Sequence, residues 1–313
     1  MRETVEFAVE VEDLVKAFGE FVAVDHIRLQ VRKGEIFGFL GPNGAGKSTT
    51  IRMLCGLLIP TSGRGRVAGF DLLREPEKIK GVIGYMSQKF SLYEDLTVIE
   101  NLRFFGGIYG LDGSILKRRE GEVLEKIGLK GVSHRLTRTL AVGLKQRLAL
   151  GCAILHQPEI LFLDEPTAGV DPLSRREFWS FIQEMSNQGV TSFVSTHYMD
   201  EAEYCNRLAL IYQGRTIAMG SPTELKIKTL SRGVLEVECE PLIPSLHLLK
   251  NTAWISEVAA FGNCLHVIGK EGISLEEEIP ALFQTHRILL HRMEWIHPSL
   301  EDIFVSLIEG EKR

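Results

Sequence analysis

The sequence predicts an α/β fold with a helical insertion, followed by a small α+β domain. Short apolar runs recur at residues 35–40, 160–163, 191–195 and 207–211, each ending in glycine or polar residues. Buried strands of a largely parallel sheet look like this, and helical patterns between them place helices on both faces. Residues from about 90 to 158 differ, with helix-like patterns and few strand-like runs, which marks a helical insertion. Near residue 230 the pattern changes again, so domains are expected at 1–230 and 231–313.

In chain order, residues 5–11 and 21–31 read as strands joined by the turn-like Phe18-Gly19-Glu20. Glu35-Ile36-Phe37-Gly38-Phe39-Leu40 suits a buried strand closed by Gly41. A glycine-rich loop spans 41–49, and Ile51-Arg52-Met53-Leu54 continue as helix. Thr97-Val98-Ile99-Glu100 is a capping box, in which each end satisfies the other's main-chain amide. The run Ile160-Leu161-Phe162-Leu163 ends at Asp164-Glu165, and 191–195 ends at Thr196-His197. The run 207–211 enters the turn Gln213-Gly214-Arg215. Ligands bind at the carboxyl ends of such strands, so these polar residues draw interest. In the last segment 235–238, 255–260 and 265–268 alternate as strands, and helices are expected at 275–284 and 299–308. Pro298-Ser299 before Glu301-Asp302 is a good helix start.

The chain of 313 residues is 44% hydrophobic and 25% charged, which excludes disorder as the default. Its net charge of −5 argues against a dedicated nucleic-acid binder. Five cysteines, Cys55, Cys152, Cys205, Cys239 and Cys264, show no paired spacing, as free thiols of a reducing compartment would. The acidic start MRETVEFAVEVEDL is not expected to be a signal peptide. No run of about 18 apolar residues is present, so any membrane pore is expected on a separate chain.

Gly41-Pro42-Asn43-Gly44-Ala45-Gly46-Lys47-Ser48 fits G-x-x-x-x-G-K-[ST] without a mismatch, and Thr49 continues it. Glycines let main-chain amides turn inward around phosphate oxygens, and the following helix adds its positive end. Lys47 supplies a charge for the β- and γ-phosphates, and Ser48 a hydroxyl for Mg²⁺. The loop alone indicates an NTPase or a kinase. Asp164, at a buried strand's end, can hold Mg²⁺ through its water shell. Glu165 is then placed to orient or deprotonate the attacking water. His197 can hydrogen-bond the γ-phosphate or that water. The amide of Gln88 can ligate Mg²⁺ or water and sense the γ-phosphate.

Taken together, these residues resemble the nucleotide-binding subunit of ABC transporters over about residues 5–225, a P-loop NTPase with a helical subdomain. Residues 41–48 match the Walker A sequence and 160–165 Walker B with its catalytic glutamate. Gln88 matches the Q-loop glutamine, Ala168-Gly169-Val170-Asp171 the D-loop and His197 the switch histidine. Phe18 corresponds to the aromatic that stacks on adenine. The signature Leu-Ser-Gly-Gly-Gln departs: here it reads Leu140-Ala141-Val142-Gly143-Leu144, then Lys145-Gln146-Arg147. Ala141 lacks the serine hydroxyl, a loss of about 1.5–3 kcal/mol for a bond to a charged group. Val142 implies that its backbone avoids positive φ or carries the strain of it, and Gly143 remains available to the phosphate. Pro298-Ser299-Leu300-Glu301-Asp302-Ile303-Phe304 resembles an ending of drug- and ion-efflux exporter ATPases.

The resemblance implies ATP and Mg²⁺ as cofactors and ATP hydrolysis coupled to export of a drug, lipid or ion. It implies a separate permease, received near 97–105, and a second, identical ATPase subunit, with no nucleic-acid partner. The location implied is the cytoplasmic face of the membrane. Each ATP would lie between Walker A of one copy and the Gly143 region of the other. A soluble ABC-type ATPase of translation or DNA repair is the alternative. Such proteins commonly carry two modules or long coiled coils, and this chain has one module and no heptad run.

Overall fold

The computed structural model describes residues 7–89, 91–229 and 233–311. Val5 and Glu6 of the first expected strand lie outside them. Strands β1 (Phe7–Phe18) and β2 (Phe21–Arg32) form a hairpin that closes at the Phe18–Phe21 pair. Alternation in β2 buries Ile27, Leu29 and Val31 on one face. All five residues of β3 (Ile36–Leu40) are buried, and the glycine loop then leads into α1 (Lys47–Leu54). β4 (Ser62–Val67) and β5 (Phe70–Asp71) complete a four-stranded antiparallel sheet in the order β2-β1-β4-β5. The sequence Ser-Gly-Arg-Gly-Arg-Val of β4 lacks the apolar alternation that marks a strand.

Helix α2 (Pro76–Val82) leads into β6 (Ile83–Met86). The insertion follows as α3 (Val98–Ile108), α4 (Gly113–Lys126) and α5 (Val142–Ile154). The expected capping box starts α3: Thr97 N donates to Glu100 Oε2 at 2.8 Å, and Glu100 N to Thr97 Oγ1 at 3.3 Å. The chain continues through β7 (Ile160–Asp164), α6 (Pro172–Asn187), β8 (Thr191–Thr196), β9 (Arg207–Tyr212) and β10 (Arg215–Gly220). The central sheet runs β10-β9-β3-β8-β7-β6, parallel except for β10.

Helices do not cover both faces alike. One face packs Phe37, Phe39, Phe162 and Phe193 against Ile51 and Leu54 of α1 and against Val24 and Ile27 of the antiparallel sheet. The other packs Leu161, Leu163 and Val194 against Leu102, Leu148 and Trp179 of α3, α5 and α6. The ring of Phe193 lies 5.4–5.5 Å from those of Phe37, Phe39 and Phe162, all fully buried. Truncating it to alanine would cost about 3–5 kcal/mol.

The chain divides into two compact units between Ser221 and Pro222. The second contains α7 (Pro222–Thr229), β11 (Val234–Glu240), α8 (Leu242–Lys250), β12 (Ile255–Phe261), β13 (Cys264–Gly269), α9 (Leu275–His286), β14 (Leu289–Ile296) and α10 (Leu300–Glu311). Its antiparallel sheet runs β12-β13-β11-β14 over a core that includes Leu235, Val237, Val267, Ile279 and Phe283. The sequence reading sets its division near 230, whereas α7 packs on α10 within the second unit. A helix's own periodicity does not say which body it joins.

Candidate functional site

The glycine loop, Gln88, the acid pair and His197 stand at or just after the carboxyl ends of the neighbouring strands β3, β6, β7 and β8. Parallel register sets Leu40 beside Thr196 and Asp164 beside Ser195. The glycine loop, the acid pair and His197 therefore emerge together, although they lie far apart in the chain.

Gly41 and Gly46 are fixed by sterics. A Cβ on Gly41 would lie 2.2 Å from the Ile211 carbonyl oxygen. Gly46 has φ +101°, and its Cβ would lie 2.4 Å from the Ala23 oxygen. Only glycine fits such positions. Between them Pro42 accepts from the Ala45 amide at 3.2 Å, Asn43 and Gly44 are exposed, and Ala45 is buried. The first main-chain bond at the start of α1 runs from Thr50 N to Gly46 O, 2.9 Å. The amides of Lys47, Ser48 and Thr49 thus open the helix without a helical acceptor, where an anion is favoured.

Lys47 is 4% exposed, and its ammonium donates to the carbonyls of Gly41 at 2.8 Å and Pro42 at 3.0 Å. It also pairs with Glu165 Oε1 at 3.1 Å. Glu165 Oε2 accepts from Gln88 Nε2 at 3.0 Å and lies 3.1 Å from His197 Nδ1. One carboxylate therefore gathers Lys47, Gln88 and His197. Its backbone is held in the left-handed region, φ +48°, with its amide donating to Ser195 O and Oγ, both at 3.1 Å. A non-glycine residue there carries strain of about 1–3 kcal/mol, a feature that clusters at functional sites.

Asp164 Oδ1 accepts from Ser48 Oγ at 3.0 Å and from Ser195 Oγ at 2.6 Å. Burial raises the Asp164 pKa above the ordinary carboxylate value, against the lowering effect of the two hydroxyls. The Ser48–Asp164 pair fits Mg²⁺. Both are hard oxygens, so the Ser48 hydroxyl suits direct ligation and the Asp164 carboxylate suits the ion's water shell. Among the described residues no three His, Cys, Asp or Glu side chains form a metal cage. An ion held by few protein oxygens keeps water and takes phosphate ligands, as Mg²⁺ does. Gln88, also expected at the metal, is turned to Glu165 instead.

Three expected residues stand apart from this cluster. Phe18 is 50% exposed, with the Lys16 ammonium 5.1 Å from its ring centroid, so it is not a core residue. Asp171 caps α6, accepting from Ser174 N at 3.0 Å. Gly143 sits in the first turn of α5, where a Cβ would meet Ser174 Oγ at 2.9 Å. Gly143 and Asp171 thus meet through Ser174, and among the described residues neither bonds to the Glu165 cluster. Ala141 is the N-cap of α5 and offers no side-chain cap. Val142 is the first residue of that helix and is not among the residues with positive φ, which decides between the two alternatives.

Sequence reasoning missed Ser195 as a partner of Asp164. Its signal was the hydroxyl pair Ser195-Thr196 at a strand end, but the contact needs the β7–β8 pairing. It also missed Thr167, Arg175 and Glu201, which meet behind the site.

The family model described as "ABC transporter" matches residues 24–168. The probable multidrug ABC transporter ATP-binding protein YbhF of Escherichia coli is 54% identical over 224 residues, 72% of this chain and 39% of its own. The chain therefore spans well under half of YbhF. The linearmycin resistance ATP-binding protein LnrL of Bacillus subtilis is 35% identical over 303 residues, 95% of this chain and 97% of its own. Among solved structures, cbiO1 of Clostridium perfringens, part of the ABC transporter complex cbiONQ, matches with a TM-score of 0.65. It is 28% identical and covers 72% of this chain and 96% of its own.

Proposed function

The chain belongs to the ABC transporter ATP-binding family, and from that premise we propose that it hydrolyses MgATP to drive export through a separate membrane permease. The observation that carries this reading is the convergence of Lys47, Gln88 and His197 on the buried Glu165 carboxylate. Names of relatives such as YbhF and LnrL favour efflux of a drug-like substrate.

The loop amides and the Lys47 ammonium bind the phosphates of ATP. Ser48 and Asp164 would hold Mg²⁺, which neutralises charge on the phosphates when bound. Glu165 accepts a proton from water as the water oxygen attacks the γ-phosphorus and the bond to the β-phosphate oxygen breaks, giving ADP and phosphate. His197 and Gln88 hold the carboxylate in line. Phe18, exposed at the end of β1, stacks on adenine.

Two identical copies face each other head to tail, each ATP lying between one copy's residues 41–49 and the other's Gly143 and Asp171. That these two residues sit away from the chain's own Glu165 cluster agrees with such an arrangement. ATP holds the pair closed through contacts that its γ-phosphate alone supplies, and hydrolysis releases them. Among the described residues no helix is long and apolar enough to cross a membrane. The protein works at the cytoplasmic face, bound to a permease that the helical insertion near Gln88 drives.

The test is purification of the full chain from membranes of its own cell. A polytopic membrane protein should co-purify, and MgATP should bind the wild type but not Lys47→Ala. Co-sedimentation with ribosomes or DNA, with no membrane partner, would sink this reading.

A further inference from the structure

Behind the Glu165 cluster lies a buried carboxylate that the proposed mechanism does not use. Glu201 is 0% exposed. Its Oε1 accepts from Thr167 Oγ1 at 2.5 Å and lies 3.5 Å from Arg175 Nε, while Oε2 has no hydrogen-bond partner. A buried carboxylate with one oxygen unpartnered is costly, so mere packing would favour an apolar side chain here.

The partners of Glu201 belong to two segments of the site. Thr167 lies in the turn that follows Glu165, where Ala168 N donates to Glu165 O at 3.2 Å and Val170 N to Thr167 O at 3.1 Å. Glu201 lies in the short 3-10 segment Met199–Tyr204 that follows His197. Helix α6 grips that segment at both ends. The Arg175 guanidinium lies 4.2 Å over the Tyr198 ring, and Trp179 stacks on Tyr204 at 5.2 Å. Tyr198 in turn packs on the His197 ring at 4.1 Å.

We propose that Glu201 is a positioning residue for hydrolysis, which through Thr167 and Arg175 ties the turn after Glu165 to the segment carrying His197. The tie keeps the imidazole within 3.1 Å of the Glu165 carboxylate. Without it the two segments remain folded but shift against each other, and a displacement near 1 Å costs up to about 100-fold in rate. The proposal rests on the roles given above to Glu165 and His197.

The experiment compares Thr167→Val, Thr167→Ser and Glu201→Gln in the full chain by MgATP turnover and by ATP affinity. Thr167→Val should lower turnover about tenfold or more with ATP affinity within about twofold, because the phosphate loop is untouched. Thr167→Ser, which keeps the hydroxyl, should restore it. In a His197→Ala background Thr167→Val should cost nothing further, since it acts through the imidazole. Equal losses with and without His197, failure of the serine rescue, or a parallel loss of ATP affinity would overturn the tie. Wild-type turnover abolished by Glu165→Gln but unmoved by Thr167→Val and Glu201→Gln would overturn the tie alone and leave the proposed function standing. Absence of any Lys47-dependent turnover would remove both.

Discussion

The Lys47 ammonium stands 3.1 Å from Glu165 Oε1, with the two side chains only 4% and 6% exposed. In the proposed mechanism one group holds phosphate and the other takes a proton, and each offsets the buried charge of its neighbour. Two ions can share a nearly dry site because of this pairing. It also separates their roles in mutants.

Glu165→Gln keeps the size of the side chain and an acceptor but removes the proposed base. Turnover should fall by about 10²–10⁴-fold while ATP still binds. The variant should accumulate as a long-lived ATP-bound dimer in size-exclusion chromatography. Unchanged steady-state phosphate release would remove Glu165 as the base.

Asp164→Asn should separate stability from function. Burial raises the Asp164 pKa, so the folded chain binds that proton more tightly than the unfolded chain does. This contribution is present below the ordinary carboxylate value and is lost as pH rises through the raised one. At neutral pH without magnesium, the neutral amide should therefore raise Tm by about 2–4 °C, or about 1 kcal/mol. The magnesium concentration needed for half-maximal turnover should rise about 10–100-fold. A lowered Tm in metal-free buffer would contradict the desolvation argument.

Ala141→Ser supplies the missing N-cap of α5. The hydroxyl can accept from an amide of the first turn, and such caps contribute about 1 kcal/mol over alanine. In the proposed head-to-tail dimer the same hydroxyl would meet the phosphate held by the second copy, a bond of about 1.5–3 kcal/mol. ATP-driven dimerisation should strengthen about tenfold or more by analytical ultracentrifugation. A loss of both ATP affinity and turnover would mean that the start of α5 meets the nucleotide differently.

In the second unit, His266 Nδ1 lies 2.6 Å from Asp302 Oδ1, joining β13 to the first turn of α10. Burial opposes the His266 cation, but Asp302 and then Glu236 outweigh it and raise the pKa. Burial likewise opposes the Asp302 anion, and His266 and Ser299 outweigh it and lower that pKa. The histidine contribution is present below the ordinary histidine value and is lost as pH rises through the raised one. The aspartate contribution is present above the ordinary carboxylate value and is lost as pH falls through the lowered one. Asp302→Asn should cost about 1–3 kcal/mol near pH 6 and progressively less as pH rises through the raised histidine value, by urea titration of tryptophan fluorescence. A cost that does not change with pH would show that the pair is not ionic.

The local chemistry of this protein was legible in its residues. The loop at 41–49, the acid pair Asp164-Glu165 and the capping box at Thr97 depend on spacing within a few residues, and spacing is what a sequence records. So were the fully buried strands β3, β7 and β8, because short apolar runs bounded by glycine or polar residues suit a strand covered on both faces. Three kinds of feature were decided only by folding. β4 carries glycine and arginine where alternation is normally read, so its sheet and the packing of that sheet on Phe37 and Phe162 stayed hidden. The placement of α7 with α10 depends on which body a helix packs against. The partners of the carboxylates, Ser195 for Asp164 and Thr167 for Glu201, depend on strand order and on how α6 returns. Side chains far apart in the chain become neighbours only when burial of apolar surface selects one pairing of strands, and no local periodicity encodes that choice.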